Sequence, residues 1–534
     1  MRRFLQVSTL AACCTLGLSG PARGQEHEHQ AALKVGTVSF ANSCSPAVQE
    51  SLLQGVARLH SFDYAGGIAT FRHVLAMDSS CAIATWGIAT LLMSNPLGGV
   101  GASPAGAGQA QAAIAEGRGI GARTQRERDY LEAVAAYYQD WANRPERVRQ
   151  RARADAFQAL AARYPDDEEA QIFAALYLAA TQDLSDQTYA TYLKAAAILE
   201  PLFARHPDHP GLAHYLIHVY DAPPIAEKGL SAARRYAGIA PAVPHALHMP
   251  SHIFTRVGAW SESAATNERA AAAAGAEGDV GEQLHAMDYM TYAYLQLARD
   301  DDARRVMDQA ARVAVSPSVR FSGPYGAAAI PARYAVERGD WRGAAGLTPA
   351  PSNYAYAEAL TYFARGLGRA RSGDAAGAEA DAGQLARLRD TLAAAHNDYW
   401  AKEVEVSRRG VAAWAALARG KSADALTLMG SAADDEDGRE KHIVTPGRII
   451  PARELLGDML LELKQPVQAL AAFEGSQRRE PGRFRGLFGA ARAAAAAGDT
   501  ATAKRYFGRL VEQAGADNPR AEVALARAFL QPQH

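Results

Sequence analysis

Histidine, the side chain that most often binds transition metals, is concentrated in one stretch of this chain. Eight of the 15 histidines lie between residues 206 and 285 of a chain of 534 residues. His214 and His218 are four residues apart, and so are His248 and His252, which places each pair on one face of a helix. The second pair follows the first at a spacing of about 34 residues, a period typical of helical repeats. This period predicts equivalent positions in neighbouring helical units, where the four rings should meet.

A third predicted helical unit follows the one that contains His248 and His252. Aligned on its second helix, it places His285, Asp288 and Tyr292 at positions that histidines hold in the preceding unit. Packed helix axes lie about 8–10 Å apart, so imidazoles from adjacent helices can share one ion. The predicted metal ligands are His214, His218, His248, His252, His285 and Asp288.

Zinc or copper is the metal that this set favours. Nitrogen-rich ligation with at most one carboxylate does not suit calcium or magnesium, and the affinity order places copper above zinc. Paired HxxxH helices also occur in dinuclear copper proteins such as tyrosinases, whose fold differs. The sequence shows no third ligand for either ion, and it leaves open whether any reaction would be hydrolytic or oxidative.

Internal repeats indicate the fold. Residues that match the tetratricopeptide signature are Arg453, Leu456, Gly457, Leu460, Ala469, Phe473 and Pro481. Ala503 and Phe507 follow Ala469 and Phe473 after one further period of about 34 residues. The sequence resembles the tetratricopeptide repeat (TPR) superfamily over most of residues 46–520. Residues 206–260 are also similar to exported, largely uncharacterised bacterial TPR proteins, which implies no particular activity.

The resemblance implies an all-α fold, an α-solenoid of stacked helix–turn–helix repeats that forms a superhelix with a concave groove. The first helix of each repeat would line that groove. Beside the metal ligands, His245, Arg256 and Tyr292 would then face a ligand: Arg256 would meet an anionic substrate, and Tyr292 would donate a hydrogen bond or a proton.

Two alternatives remain open for the histidines. The groove could bind a peptide, a partner protein or a small molecule without metal, as most TPR proteins do. The imidazoles could also be a structural seam, hydrogen-bonded to carbonyls, Asp221 or Tyr220. His206 and His209 precede the first helix of the cluster and are predicted to cap it or to support the ligands.

The N-terminus predicts export. Arg2 and Arg3 precede an apolar run from Phe4 to about Leu18, which is too short to span a membrane. We expect a cleaved signal peptide, a location in the periplasm or cell envelope, and no transmembrane segment in the mature chain. A lipid anchor at Cys13 is the alternative.

Export would leave Cys44 and Cys81 as the remaining cysteines. In an oxidising compartment an even pair predicts a disulfide, and a metal or catalytic thiol is the alternative. The net charge of −1 provides no basic surface for nucleic acid. No metalloprotease, nucleophile-elbow or kinase motif is present, so no enzyme class is predicted.

The predicted organisation is a signal peptide at 1–24, a tail at 25–45, N-terminal repeats at 46–205, histidine-rich repeats at 206–300, further repeats at 301–445, a C-terminal pair of repeats at 446–520 and an end segment at 521–534. Loops are expected at 94–108, 347–353 and 434–451 because proline, glycine or acidic residues cluster there.

Overall fold

The computed structural model describes residues 33–316 and 319–531. The chain divides into two units, residues 1–33 and 34–534, and every described helix belongs to the second. The predicted signal peptide, Cys13 and residues 25–32 of the predicted tail lie outside the described residues. None of the described helices combines the length and the apolar character needed to cross a membrane.

The described residues form 26 α-helices and no strand. The helices are α1 Gln49–His60, α2 Tyr64–Met77, α3 Ile83–Leu91, α4 Pro104–Ile120, α5 Gln125–Tyr138, α6 Glu146–Arg163, α7 Glu168–Ala179, α8 Ala190–Arg205, α9 Pro210–Val219, α10 Leu230–Ile239, α11 Pro244–His248, α12 Pro250–Val257, α13 Trp260–Glu277, α14 Val280–Gln296, α15 Asp300–Ala310, α16 Ser322–Glu337, α17 Trp341–Ala345, α18 Ala355–Arg371, α19 Ala375–Ala394, α20 Asp398–Ala418, α21 Ser422–Asp437, α22 Ala452–Glu462, α23 Pro466–Arg479, α24 Phe484–Ala496, α25 Thr500–Ala514 and α26 Ala521–Leu530. Short 3-10 turns occupy Pro46–Val48 and Ala226–Gly229.

Helices that follow each other in sequence pack against each other throughout the described chain. Their buried apolar residues form four clusters that succeed one another from the N-terminal to the C-terminal helices. A core that extends along the chain in this way is typical of a solenoid, in which each unit packs on its neighbours. The all-α solenoid predicted from the repeats is confirmed.

One glycine–phenylalanine contact recurs at both ends of the solenoid. Gly55 of α1 faces Phe71 of α2, and Gly457 of α22 faces Phe473 of α23, with the same sequence separation in both pairs. A Cβ atom would lie 2.8 Å from the Phe71 ring and 2.7 Å from the Phe473 ring. The absence of a side chain therefore lets the two helices of a repeat approach closely.

A helix break lies inside the histidine-rich stretch. The spacing predicts one helix through His248 and His252, but α11 ends at His248 and α12 begins at Pro250. Pro250 has no N–H, so the helical hydrogen bond to residue 246 cannot form. Met249 keeps helical dihedrals, φ −53° and ψ −35°, so the chain direction continues and both histidines stay on one face.

The connection between α21 and α22, residues 438–451, crosses the solenoid; we call it the crossing segment. Among its hydrogen bonds are Glu440 N to Leu184 O (2.8 Å), His442 Nε2 with Gly98 O (3.0 Å), Tyr289 Oη to Ile443 O (3.1 Å) and Arg333 Nη2 to Gly447 O (2.7 Å). It therefore connects early, central and late helices and covers the histidines from one side.

Cys44 and Cys81 lie within bonding distance, with sulfur atoms 1.97 Å apart. Cys44 precedes the first helical turn and Cys81 lies just before α3, so the bond would enclose α1 and α2. No α-helix precedes α1 among the described residues, so the bond would hold together a helix pair at the end of the described array.

We expect peptides that contain Cys44 and Cys81 to be recovered as one cross-linked species from unreduced protein. Replacing both by serine should lower the free energy of unfolding by about 2–4 kcal/mol, because the unfolded loop is no longer constrained. Peptide mapping by mass spectrometry and urea unfolding test this. Recovery of both cysteines as free thiols would contradict it.

Candidate metal centre

His248 and His252 present two unprotonated nitrogens to each other. His248 Nδ1 donates to Asn267 Oδ1 (2.7 Å), and the amide of Asn267 is oriented by its own donation to Ser263 O. His252 Nδ1 donates to the carboxylate of Asp221 (2.9 Å). A neutral imidazole carries one proton, so both Nε2 atoms hold a lone pair, and they lie 3.1 Å apart.

This distance suits two ligands of one ion. If each nitrogen lies about 2.05 Å from a metal, nitrogens 3.1 Å apart subtend an angle of about 98° at the ion, near the tetrahedral value. Without a shared cation the two lone pairs face each other in a buried site, and neither nitrogen has a hydrogen to offer the other. Tyr289 Oη lies 3.4 Å from His252 Nε2, but its single proton also faces the nearer carbonyls of Ile443 and Thr445, both 3.1 Å away. The arrangement is therefore unfavourable, because buried polar atoms need partners.

His285 completes the first of two histidine triads. One possible ligand atom from each of His248, His252 and His285 lies within 4.8 Å of the others, and we call this set triad B. Its three residues come from α11, α12 and α14. His285 Nδ1 is buried and has no hydrogen-bond partner among the described residues.

Triad A is the equivalent set in the preceding unit: His214, His218 and His245, again with ligand atoms within 4.8 Å of one another. His214 Nδ1 donates to His60 O (2.7 Å), so the Nε2 atom of His214 carries a lone pair. This Nε2 atom lies 3.1 Å from His218 Nε2. His218 Nδ1 and His245 Nε2 are buried without partners among the described residues.

Each triad has one histidine supported by a carboxylate. Asp221 accepts from His252 in triad B, and Glu282 Oε1 lies 3.0 Å from His245 Nδ1 in triad A. Burial alone would raise the pKa of Asp221, but Lys441 and Arg256 beside it hold that pKa well below its ordinary value. Ionised acceptors behind a histidine fix its tautomer and strengthen it as a metal ligand.

Five of the six triad imidazoles are held neutral, the form that binds metal. Burial lowers the pKa values of His214, His218 and His248 well below 6.5, and the neighbouring imidazoles lower them further. Burial also lowers the pKa of His252, and that of His285 to about 3. His214 and His248 have no exposed surface.

A cavity of about 50 Å³ lies between the triads and the crossing segment. Two histidines of each triad line it, together with the charged Glu282 and Arg320 and the apolar Met249, Phe321, Ile443 and Val444. Rings of different triads are close: 5.8 Å separates the centroids of His218 and His252, and 6.2 Å those of His245 and His248. The triads are therefore adjacent and open onto one chamber.

Asp288 lies outside both triads. Its carboxylate accepts from Arg333 Nε (2.7 Å) and Nη2 (3.3 Å), and both side chains are buried. A carboxylate already held by a buried guanidinium cannot leave it without exposing an unpaired charge. We therefore exclude Asp288 from the candidate ligand set, which instead includes His245.

Arg256 and Tyr292 are also engaged within the protein. Arg256 Nε donates to Asp221 (2.7 Å), the carboxylate that accepts the hydrogen bond of His252. Arg256 therefore holds Asp221 in place and does not face an open binding surface. Tyr292 Oη donates to Glu480 (3.0 Å) and accepts from Arg483 (2.7 Å). Neither side chain lines the chamber.

A third histidine cluster contrasts with the triads. Glu169 accepts from His60 Nε2 (2.8 Å) and His209 Nε2 (3.0 Å), while His60 Nδ1 pairs with Tyr215 Oη (2.9 Å). His209 Nδ1 caps α9 by accepting from Leu212 N (3.3 Å). All four ring nitrogens have protein partners, so this cluster is a hydrogen-bonded support, and its His60 carbonyl orients His214.

No protein-family model and no curated sequence matches this chain. Among solved structures, the crystal structure of the yeast Tom70 is similar to it, with 10% sequence identity, 90% of this chain and 88% of that chain covered, and a TM-score of 0.27. A similarity at this level carries no argument about function. The functional inference rests on the site.

Acidification should destabilise the chelator-treated protein. Unfolded histidines gain a proton near a pKa of about 6.5, whereas buried His214, His218 and His248 stay neutral. The unfolded state then binds more protons, so the free energy of unfolding falls below about pH 6.5, by up to about 1.4 kcal/mol per pH unit for each such histidine.

Urea unfolding at about pH 7.5 and about pH 5.5, either side of the reference pKa of about 6.5, measures this. The pH dependence should become shallower in His218→Asn and remain in His396→Asn, whose parent side chain is exposed. Equal unfolding free energies at both pH values would contradict neutral burial of the imidazoles.

Proposed function

We propose that this helical repeat protein binds two transition-metal ions, one in each histidine triad. The observation that carries the proposal is the pair of Nε2 lone pairs of His248 and His252, 3.1 Å apart, with both Nδ1 protons already donated to oxygen acceptors. A hydrogen-bonded seam would place a donor opposite an acceptor. A metal ion uses two such lone pairs together.

Copper or zinc is the metal class that the ligands favour. Each triad offers three imidazoles and no carboxylate, and three protein nitrogens would leave one position of a tetrahedral ion open. Calcium and magnesium require oxygen ligands. An open position is where a bound water or a small substrate would be activated, so the site is suited to catalysis.

The alternative is a metal-free scaffold that binds a peptide or partner protein. The crossing segment disfavours this use of the histidines, because it covers them and leaves a chamber of about 50 Å³. An extended peptide strand needs a groove that is open along its length. Other surfaces of the solenoid remain open to partners.

Export to the periplasm or cell envelope is part of the proposal. The pairing of Cys44 with Cys81 supports it, because disulfides persist in oxidising compartments. N-terminal sequencing of protein from the cell envelope fraction tests it: a chain that begins near residue 25 agrees with export. An uncleaved chain found only in the cytoplasm contradicts it.

Elemental analysis of untagged protein tests metal binding, and we expect two copper or zinc ions per chain. Metal present at a thousand times its dissociation constant should add about 4 kcal/mol to stability, so chelation should lower the melting temperature and metal should restore it. The variant with His218→Ala and His252→Ala, which removes one ligand from each triad, should lose this metal-dependent shift.

Two controls separate ligand loss from general damage. His396→Ala removes an exposed imidazole outside the triads, and His442→Ala removes a buried one that bonds to Gly98 O. Both should retain the shift. If the double variant gains stability from metal as the parent does, the ions bind elsewhere and the histidines form a seam.

A further inference from the structure

We infer that the chamber binds a small oxyanion, such as a carboxylate, between the two metal positions and a wall that carries Tyr64, Asn95 and Arg320. This inference rests on the proposed function and adds the substrate class. Three features of the described residues support it: the hydrogen-bond donors that line the chamber, the balance of the charged side chains around it, and its size.

Tyr64 gives the chamber a hydroxyl group that the protein leaves unused. Its side chain lines the chamber, and its Oη atom is buried and has no hydrogen-bond partner among the described residues. A buried hydroxyl without a partner costs free energy, which a ligand oxygen would recover. Burial raises the pKa of the Tyr64 phenol, so the hydroxyl keeps its proton and can donate it.

Two further side chains that line the chamber are donors. The Arg320 guanidinium lies over the Tyr64 ring, 4.8 Å from its centroid, and donates one N–H group to Asp279 (2.5 Å). A guanidinium carries several N–H groups, so others can donate to a ligand. Asn95 Oδ1 accepts from Leu97 N (2.9 Å), which leaves the amide NH2 of Asn95 as a donor. These donors match a ligand that is rich in acceptor oxygens.

The charged side chains around the chamber cancel one another. They are Glu282 and Arg320 in its wall, Asp279 paired with Arg320, and Asp221, Arg256 and Lys441 behind triad B. Acidic and basic groups are equal in number in this set. Glu440, which also pairs with Arg256, is itself paired with Arg479. No net negative charge therefore remains to offset two divalent ions.

An anion in the chamber would supply the missing negative charge. Burying uncompensated positive charge is costly, and a neutral molecule or a cation would not reduce that cost. His218 and His245 of triad A and His252 and His285 of triad B line the same chamber. One anion placed there would therefore lie close to both metal positions and opposite the donors of Tyr64 and Arg320.

The chamber admits only a small anion. Its volume is about 50 Å³, which is space for about three to five water molecules, since one water needs about 10–15 Å³ on the same measure. An anion of about four or five non-hydrogen atoms, such as acetate, carbonate or phosphate, fits this space. A peptide, a sugar or a nucleotide is too large.

The test measures acetate binding to the metal-loaded full chain by calorimetry, in a buffer without other oxyanions. The protein is first loaded with zinc, or with Cu(II) if it retains no zinc, and its metal is counted. Acetamide, which has nearly the shape of acetate but no charge, is the control ligand. We expect two metal ions and one acetate per chain, and binding at least about tenfold weaker for acetamide and for acetate with the metal-free chain.

Two variants assign the site without removing a metal ligand. Tyr64→Phe removes only the hydroxyl group, and Arg320→Gln removes the positive charge. Each should keep two metal ions and bind acetate about tenfold or more weakly, which is the loss expected for one hydrogen bond to a charged ligand. Tyr506→Phe and Arg338→Gln are the matched controls, because both parent side chains form hydrogen bonds and neither lines the chamber. Both should bind acetate as the parent does, and circular dichroism checks that each variant is folded.

The outcomes distinguish this inference from the proposed function. Two bound metal ions with no acetate binding, or with equal binding of acetamide, would overturn the oxyanion inference and leave metal binding intact. Acetate binding that is as strong in Tyr64→Phe and Arg320→Gln as in the parent would do the same, because the anion would then lie elsewhere. A parent chain that retains neither metal would overturn both.

Discussion

The hydrogen bonds donated by the Nδ1 atoms of the histidines determine the character of this site. Because His214, His248 and His252 each give their single proton to an oxygen, their Nε2 lone pairs point into the site. Burial removes water as an alternative partner, and it keeps the rings neutral by lowering their pKa values. The supporting acceptors are therefore as important as the ligands themselves.

The solenoid supplies these acceptors from several repeats. The His60 carbonyl comes from the first repeat, and Glu169 of α7 and Tyr215 of α9 hold the His60 ring. Asn267 and Glu282 come from the helices that follow His252. Stacking brings residues that are far apart in sequence to one place, and the crossing segment then encloses them. The fold thereby positions the residues that line a small chamber.

The features that follow from regular spacing, the histidine pairs and the helical repeats, are predicted well from the sequence. Four-residue spacing and the repeat period correctly bring His214 and His218 together with His248 and His252, because both follow from helix and repeat geometry. The all-α solenoid follows from the same period. These predictions need only local periodicity and the stacking of equivalent units.

Contacts between distant segments could not be predicted in the same way. Asp288 occupies the turn equivalent to that of His248, but its carboxylate is hydrogen-bonded to Arg333 from α16. His245, one turn before His248 on α11, belongs to triad A and not to the triad of His248, an assignment that the spacing alone does not give. The sequence predicts a loop at 434–451, whereas the burial of that loop depends on partners such as Leu184 and Gly98, which lie far away in the sequence.

The most direct test of the central claim is a crystal structure of copper-loaded protein with anomalous difference maps at the copper edge. The account predicts two peaks, each about 2.0–2.1 Å from three imidazole nitrogens, one within His214, His218 and His245 and the other within His248, His252 and His285. Maps in which the triads show no peak while copper lies at another site would contradict it.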